Sequence, residues 1–305
     1  MSQIVEKKAL VFDPIFTSSG GFTASRPPAY YDLDSGSPLG RGPPPRRKRG
    51  DHLNLLEIQE ITERYQAENG EIFALDHISF SMKEGEFLSI VGPSGCGKST
   101  LLSIIAGLVS PSSGRILLGG REVVGIDPRI GYMLQKDNLL EWRTIWKNAI
   151  LGLELRRRLD GESLARTQEL LKSYGLWEFR EKYPSQLSGG MRQRAALIRT
   201  LATSPEVLLL DEAFSALDYQ TRLAVTDDVY QILRRENITT LMVTHDIPES
   251  ISMGDRVLIL TGRPARVKEL LPIDLGPDRT PLSCRDDPRF SRYFNHIWKE
   301  LKEDG

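Results

Sequence analysis

The chain has 305 residues, 40% of them hydrophobic and 27% charged, which is the balance of a globular protein able to bury a sizeable core. Forty Lys and Arg against 41 Asp and Glu leave a formal charge of -1, so the basic excess of a dedicated nucleic-acid binder is missing. No run of about 18 apolar residues is present to span a membrane, and the first thirty residues hold no apolar signal region. Two cysteines, Cys96 and Cys284, suit a reducing compartment better than a disulfide scaffold.

Residues 1–52 hold seven of the 18 prolines and no lasting apolar period, so a disordered Pro/Arg-rich tail is expected. Glu6, Asp13, Asp32 and Asp34 argue against a transit peptide. The cluster Arg46-Arg-Lys-Arg49 carries the charge that anionic lipid attracts, although an inert solvated tail is the simpler expectation. From Leu53 the pattern turns α/β. Phe87–Val91, Val207–Leu210, Thr240–Val243 and Val257–Leu260 are short apolar runs bounded by Gly, Pro or charge, as in strands buried on both faces of a parallel sheet. Between the second and third, Leu223, Val229 or Tyr230, and Leu233 share one helix face, giving a strand–helix–strand order. Residues 136–204 contain no such run. Leu164, Leu171 and Tyr174 line one helical face and Met191, Ala195, Ile198 and Ala202 another, which predicts a helical subdomain inserted into the sheet core. An α/β domain of the doubly wound type is therefore expected over residues 53–262. Residues 263–305 read as a Pro-rich, irregular C-terminal extension closed by a short helix around Trp298.

Gly92-Pro-Ser94-Gly95-Cys96-Gly97-Lys98-Ser99-Thr100 follows a strand-like run and opens a helical one, the context a phosphate-binding loop requires. Its glycines let successive backbone N–H groups converge on phosphate oxygens at the positive end of a helix. Lys98 would neutralise the β and γ phosphates, and Ser99 would ligate Mg2+. Val207–Leu210 leads into Asp211-Glu212 at the carboxyl end of a buried strand, where open α/β sheets bind ligands. Asp211 is thus a candidate metal ligand, and Glu212 a candidate for polarising the attacking water. Ser188-Gly189-Gly190, after Leu187, opens an amphipathic helix and offers a second anion-binding surface. A second such surface points to two chains sharing one nucleotide.

With that third motif the sequence resembles the ATP-binding subunits of ABC transporters over roughly residues 53–262, with the remaining motifs in order. The resemblance implies a P-loop NTPase core with a parallel RecA-like sheet, an antiparallel β edge and the inserted helical subdomain, binding ATP and Mg2+. It places Gln135 in the Q-loop as a catalytic and metal-contacting residue, and Ser215-Ala-Leu-Asp218 in the D-loop. His245 takes the switch-histidine place, and Tyr65 that of an aromatic stacking on adenine. Glu212 and His245 are both present, unlike in a non-catalytic binding subunit.

Asn138-Leu-Leu-Glu-Trp142-Arg, Leu187-Ser-Gly-Gly-Met-Arg-Gln-Arg194, Gly262-Arg-Pro264 and Arg285-Asp-Asp-Pro-Arg-Phe290 resemble the nitrate, sulfonate, taurine and bicarbonate importers. The implied partners are membrane-spanning permease subunits, a second copy of this chain and, through the complex, a solute-binding protein. The implied location is the cytoplasmic face of the membrane. Glu141 and Ala213 stand where the family usually carries Pro. The absence of sustained heptads between Lys98 and Leu187 speaks against a chromosome-maintenance ATPase, and the single nucleotide domain against a translation factor. An exporter ATPase is the alternative the core motifs leave open. Leu139, Leu140, Trp142 and Ile145 form an apolar stretch expected to line the groove for a permease helix, unless they only pack the helical subdomain.

Overall fold

Residues 54–67, 70–276 and 279–302 are described by the computed structural model; the expected tail and its Arg46–Arg49 cluster lie outside them. Two sheets organise these residues. β1 (Leu56–Ala67), β2 (Gly70–Met82), β4 (Ser113–Leu118) and the two-residue β5 (Arg121–Glu122) form an antiparallel sheet in the order β2-β1-β4-β5. The second sheet runs β10-β9-β3-β8-β7-β6, from β10 (Val267–Pro272) and β9 (Arg256–Leu260) through β3 (Phe87–Val91), β8 (Thr239–Val243) and β7 (Val207–Asp211) to β6 (Ile130–Met133). All its neighbours are parallel except β10, which pairs antiparallel with β9.

The central strands are buried along their whole length because both faces are covered. Alternation divides their side chains between two cores. Leu208 and Leu210 of β7 face the helical side with Phe214, Ile198 and Leu201. Val207 and Leu209 face the other side with Leu101, Ile105 and the antiparallel sheet's Leu56 and Ile58. Truncating a fully buried residue such as Leu209 to Ala would cost about 2–5 kcal/mol.

Helical structure fills the 136–204 interval as expected. It comprises short helices at Ile145–Ala149 and Leu151–Leu155, longer ones at Gly161–Ser173 and Gly189–Leu201, and two 3-10 turns. The groove expectation is corrected in part: Leu139 and Ile145 are core residues, and Trp142, 75% exposed, is the residue of that stretch that stays at the surface. In the Tyr219–Arg235 helix Val225 is buried while Leu223, two positions before it and expected on the packed face, is only half-buried.

The expectation of an irregular segment after Gly262 closed by a short helix is also corrected. β10 adds a sixth strand, and the last helix, Pro288–Lys302, has fifteen residues. Phe290 and Ile297 of that helix join Val257 and Ile259 of β9 and Ile251 in a third core. The signal was weak because β10 contains Lys268 and Glu269 and is only half-buried at the sheet edge, so it lacks an apolar run. Between β9 and β10, Ala265 bonds through its N–H and C=O to Ala74 O and Asp76 N at 3.0 and 2.9 Å, linking the two sheets.

Candidate nucleotide site

The loop 92–97 joins β3 to the Lys98–Ile105 helix and needs its glycines for two different reasons. Gly95 and Gly97 have φ of 74° and 128°, a region that side chains resist. A Cβ on Gly97 would also lie 2.8 Å from Leu75 Cδ2 and 3.0 Å from Ala74 O. The helix that follows has no side-chain cap, so its first N–H groups remain for an acceptor outside the helix. Lys98 is buried, and its ammonium donates to the Gly92 and Pro93 carbonyl oxygens at 2.8 and 2.9 Å. Cys96 is buried against the same loop, and Ser94 and Gly95 face solvent. Arg263, from the C-terminal segment, donates to Gly95 O at 2.6 Å and pins the loop from outside. Thr100 is half-buried within the first turn of the helix.

β7 delivers Asp211 to the same edge. Ser99 Oγ donates to Asp211 Oδ1 and Tyr132 OH to Oδ2, both at 3.1 Å. Burial holds the Asp211 carboxyl above the ordinary carboxylate range, with the Tyr132 and Ser99 bonds pulling the other way. Burial and the Asp211 charge raise the Tyr132 phenol in turn.

One residue on, Glu212 has φ of 47°, and its N–H donates to Val243 O at 2.9 Å, so the turn after β7 is pinned to β8. A left-handed non-glycine residue costs about 1–3 kcal/mol and needs such support. Ala213 and Phe214 then dive into the core, which fixes the turn without the family's usual proline. The Glu212 carboxylate meets two of the expected partners on one oxygen: Gln135 Nε2 and His245 Nδ1 each lie 3.3 Å from Oε2. Gln135 also donates to Ser215 Oγ at 3.0 Å, and Ser215 Oγ donates to Glu212 O at 2.9 Å. The structure therefore gathers Ser99 with Asp211 and, beside them, Gln135 and His245 with Glu212. Gln135 bonds to Glu212 and Ser215 and not to the Ser99–Asp211 pair it was expected to join in holding a metal.

Ser188, Gly189 and Gly190 lie elsewhere in the chain. Ser188 caps the Gly189–Leu201 helix by accepting from Met191 N–H at 3.4 Å. Gly190 is buried, and a Cβ there would meet Val225 Cγ2 at 2.8 Å, so the helix starts in close contact with the Tyr219–Arg235 helix. Ser188 and Gly189 line a cleft of about 550 Å3 together with Gln135, Leu217 and Asp218, and neither Lys98 nor Ser99 lines it. Asp218 caps its own helix by accepting from Thr221 N–H at 3.0 Å, which holds its carboxyl below the usual range. Tyr65 sits half-buried in β1 opposite Ile72, packed on the core of the antiparallel sheet. Tyr65 lies near the end of a long strand pair, since β1 runs to Ala67 and β2 begins at Gly70.

Four residues of this edge escaped the sequence. Tyr132 lies in a four-residue strand with no distinctive pattern, and Arg222 is one arginine among many in a helix. Asp246 follows the singled-out His245 and Arg263 lies inside the quoted Gly262-Arg-Pro264 segment, but neither had a partner legible in the sequence.

A divalent cation fits the donor set. Ser99 and Asp211 present hard oxygen atoms side by side. Among the described residues no three His, Cys, Asp or Glu group into a metal cage of their own.

The comparisons with known proteins agree with this edge. The ABC transporter family profile matches residues 75–215. YtlC of Bacillus subtilis, described as an uncharacterised ABC transporter ATP-binding protein, is 45% identical over 82% of this chain and 96% of its own length. The nitrate transport protein NasD of Klebsiella oxytoca is 40% identical over 82% of this chain and 97% of its own. The taurine import ATP-binding protein TauB of Roseobacter denitrificans is 37% identical over 82% and 96%. A solved dimeric structure of the ATP-binding cassette MJ0796, in a post-hydrolysis state with ADP and Pi, superposes with a TM-score of 0.61. It is 31% identical and covers 72% of this chain and 99% of its own. The phosphate-binding loop, the paired carboxylates and these relatives together establish that the chain belongs to the ABC transporter family, as an ATPase subunit coupled to transport.

Proposed function

We propose that two copies of this chain associate head to tail and enclose two MgATP molecules. The observation that carries this reading is the separation within one chain. Lys98, Ser99, Asp211, Glu212 and His245 lie at the strand ends, while Ser188 and Gly189 line a cleft with Asp218 that neither Lys98 nor Ser99 lines; Gln135 stands between, bonding Glu212 and lining that cleft. In a head-to-tail pair, Ser188, Gly189 and Gly190 of one copy cover the phosphate loop of the other.

The backbone N–H groups of residues 94–100 and the Lys98 ammonium bind and orient the β and γ phosphates. Ser99 and Asp211 would hold Mg2+, which supplies charge neutralisation between the phosphates. Glu212 orients the attacking water and accepts its proton, with Gln135 and His245 fixing the carboxylate from two sides. His245 is over half exposed and so is free to turn toward a γ-phosphate. Positioning and electrostatics supply most of the rate in such a site. Tyr65 stacks on the adenine, and Asp218 completes the partner-facing loop.

The subunit works at the cytoplasmic face of the membrane beneath permease subunits, since no helix among its described residues is long and apolar enough to cross a membrane itself. Exposed Trp142, beside Gln135 in sequence, marks the surface a permease helix meets. Relatives of similar identity are named for nitrate and for taurine, so the direction is import and the solute class is a small anion or sulfonate delivered by a solute-binding protein. The exporter alternative has no support from these relatives.

Glu212→Gln tests the reading. The variant should bind ATP and accumulate as a nucleotide-dependent dimer in gel filtration, with hydrolysis reduced by roughly 10²–10⁴-fold. Turnover near the wild-type rate would remove Glu212 from the role.

A further inference from the structure

We propose that Arg222 is a positioning residue for hydrolysis, closing a ring of contacts that holds Glu212, Gln135 and His245 in register; this rests on the role given to Glu212 above. The side chain reaches from the first turn of the Tyr219–Arg235 helix to two separate loops. Its Nη2 donates to Ser215 O at 3.3 Å and Leu217 O at 3.0 Å, and its Nη1 donates to Asp246 Oδ2 at 3.3 Å. Ser215 carries the hydroxyl that accepts from Gln135, and Asp246 follows His245 in the chain. The path Glu212–Gln135–Ser215–Arg222–Asp246–His245 therefore returns to the Glu212 carboxylate, with one guanidinium joining its two halves.

Each half of that ring is otherwise weakly fixed. Gln135 and His245 touch Glu212 at 3.3 Å, long for charge-assisted bonds, and the His245 side chain is 58% exposed. Asp246 is held by its own turn, accepting from Glu249 N–H at 2.9 Å while its N–H donates to Thr244 Oγ1 at 3.0 Å. Among the described residues, the bonds of Arg222 are the ones that join that turn to the 215–218 loop. The planar fork of arginine suits the task, because it spans two carbonyl oxygens and a carboxylate at once, which a lysine ammonium does not. The 215–218 loop also carries Leu217 and Asp218 into the Ser188 cleft, so movement of a partner copy there is transmitted to His245 through the same guanidinium.

The test uses the full chain. Arg222→Gln should lower kcat for ATP hydrolysis by roughly 10–100-fold while KM for ATP stays within about threefold, since misalignment by an ångström costs rate and not phosphate binding. Arg222→Lys should recover only part of the loss. Asp246→Asn, which keeps the helix cap, should show a similar fall, and the Arg222→Gln/Asp246→Asn double variant should be no worse than the poorer single one. Wild-type kcat in Arg222→Lys and Asp246→Asn overturns the proposal, and those two variants decide the matter if Arg222→Gln does not fold. A loss in which KM rises and kcat is kept overturns it as well. Glu212→Gln measured alongside separates the two readings. Unimpaired turnover there fails the role of Glu212, whereas impaired turnover there with wild-type kcat in the Arg222 and Asp246 variants fails the positioning role alone.

Discussion

The two helix starts that frame the nucleotide reading are built in opposite ways. The Lys98–Ile105 helix begins at Gly97 with no side-chain cap, on a loop anchored by a strand buried from end to end. The Gly189–Leu201 helix begins at Ser188, whose hydroxyl already accepts from Met191 N–H, and follows a 3-10 turn at Pro184–Gln186. The first is locally incomplete and is finished by a ligand, while the second is complete by itself. Charge follows the same division. On the sheet edge, burial raises the carboxyls of Asp211 and Glu249, whereas Asp218, in the Ser188 cleft, is held low by Thr221. The uncapped start therefore sits on a rigid, partly desolvated support, while the capped one lies at an open cleft.

Separating the two starts by mutation gives the largest expected effect. Lys98→Ala should lower hydrolysis by roughly 10²–10³-fold and weaken ATP binding, because a buried cation is lost from the phosphate loop. Ser188→Arg should block the other start without disturbing ATP binding to the monomer. Each variant is inactive alone, yet a head-to-tail pair made of one copy of each retains one intact site. Mixing them should therefore restore up to about a quarter of wild-type activity, half of the pairs being mixed and each having one site of two. No recovery in the mixture, with both variants folded, would mean that the two starts serve the same chain.

The electrostatic half of the comparison is sharpened at Glu249, buried in the turn after His245 with Oε1 unpartnered. Burial pushes its carboxyl up to about 7 from 4.5, with Asp246 adding to the rise and Thr244, Arg222 and Arg285 opposing it. Between those two values the folded chain holds a proton that the unfolded chain has released. Stability should accordingly fall as pH rises through that window and level off above it. Glu249→Gln removes the titration, so the variant should gain on the order of 1–3 kcal/mol over wild type above about pH 7 and nothing below about pH 4.5. Parallel Tm–pH curves for the two proteins would contradict this.

The smallest effect belongs to Tyr132, which steadies Asp211 on the same edge. Tyr132→Phe removes a bond to the ionised carboxylate, so the Asp211 carboxyl should rise further and the acid limb of the pH–rate profile should move upward by less than about one unit. The kcat loss at neutral pH should be only a few-fold, because Ser99 still donates to Asp211. An acid limb that moves downward would place the phenol in another role.

Much of the site was legible because its chemistry depends on short, contiguous motifs. A phosphate loop needs Gly95, Gly97 and Lys98 at fixed spacing, and Asp211-Glu212 need a fully buried strand before them, so both leave a local trace. The parallel strands were legible for the same reason, since burial on both faces demands unbroken apolar runs. β10 and the long final helix were not, because an edge strand pairs through its backbone and tolerates Lys268 and Glu269. Trp142 and Ile145 look alike in sequence, yet one is exposed and the other is core, since burial depends on which way the 136–150 segment turns against the Gly189–Leu201 helix.

The sequence by itself determined the family, the phosphate loop, the paired carboxylates and the order of the motifs, because each rests on residue types at fixed separations along the chain. Only the tertiary structure decided that Tyr132 shares Asp211 with Ser99, that Arg263 holds the loop at Gly95, and that Arg222 joins the Ser215 and Asp246 turns. Those partners lie 24 to 168 positions apart in four of these contacts, and only 7 apart in the fifth, where a helix start folds back on its own loop. Pairings of that kind are set by the stacking of strands and helices in space, for which a single sequence carries no local signal.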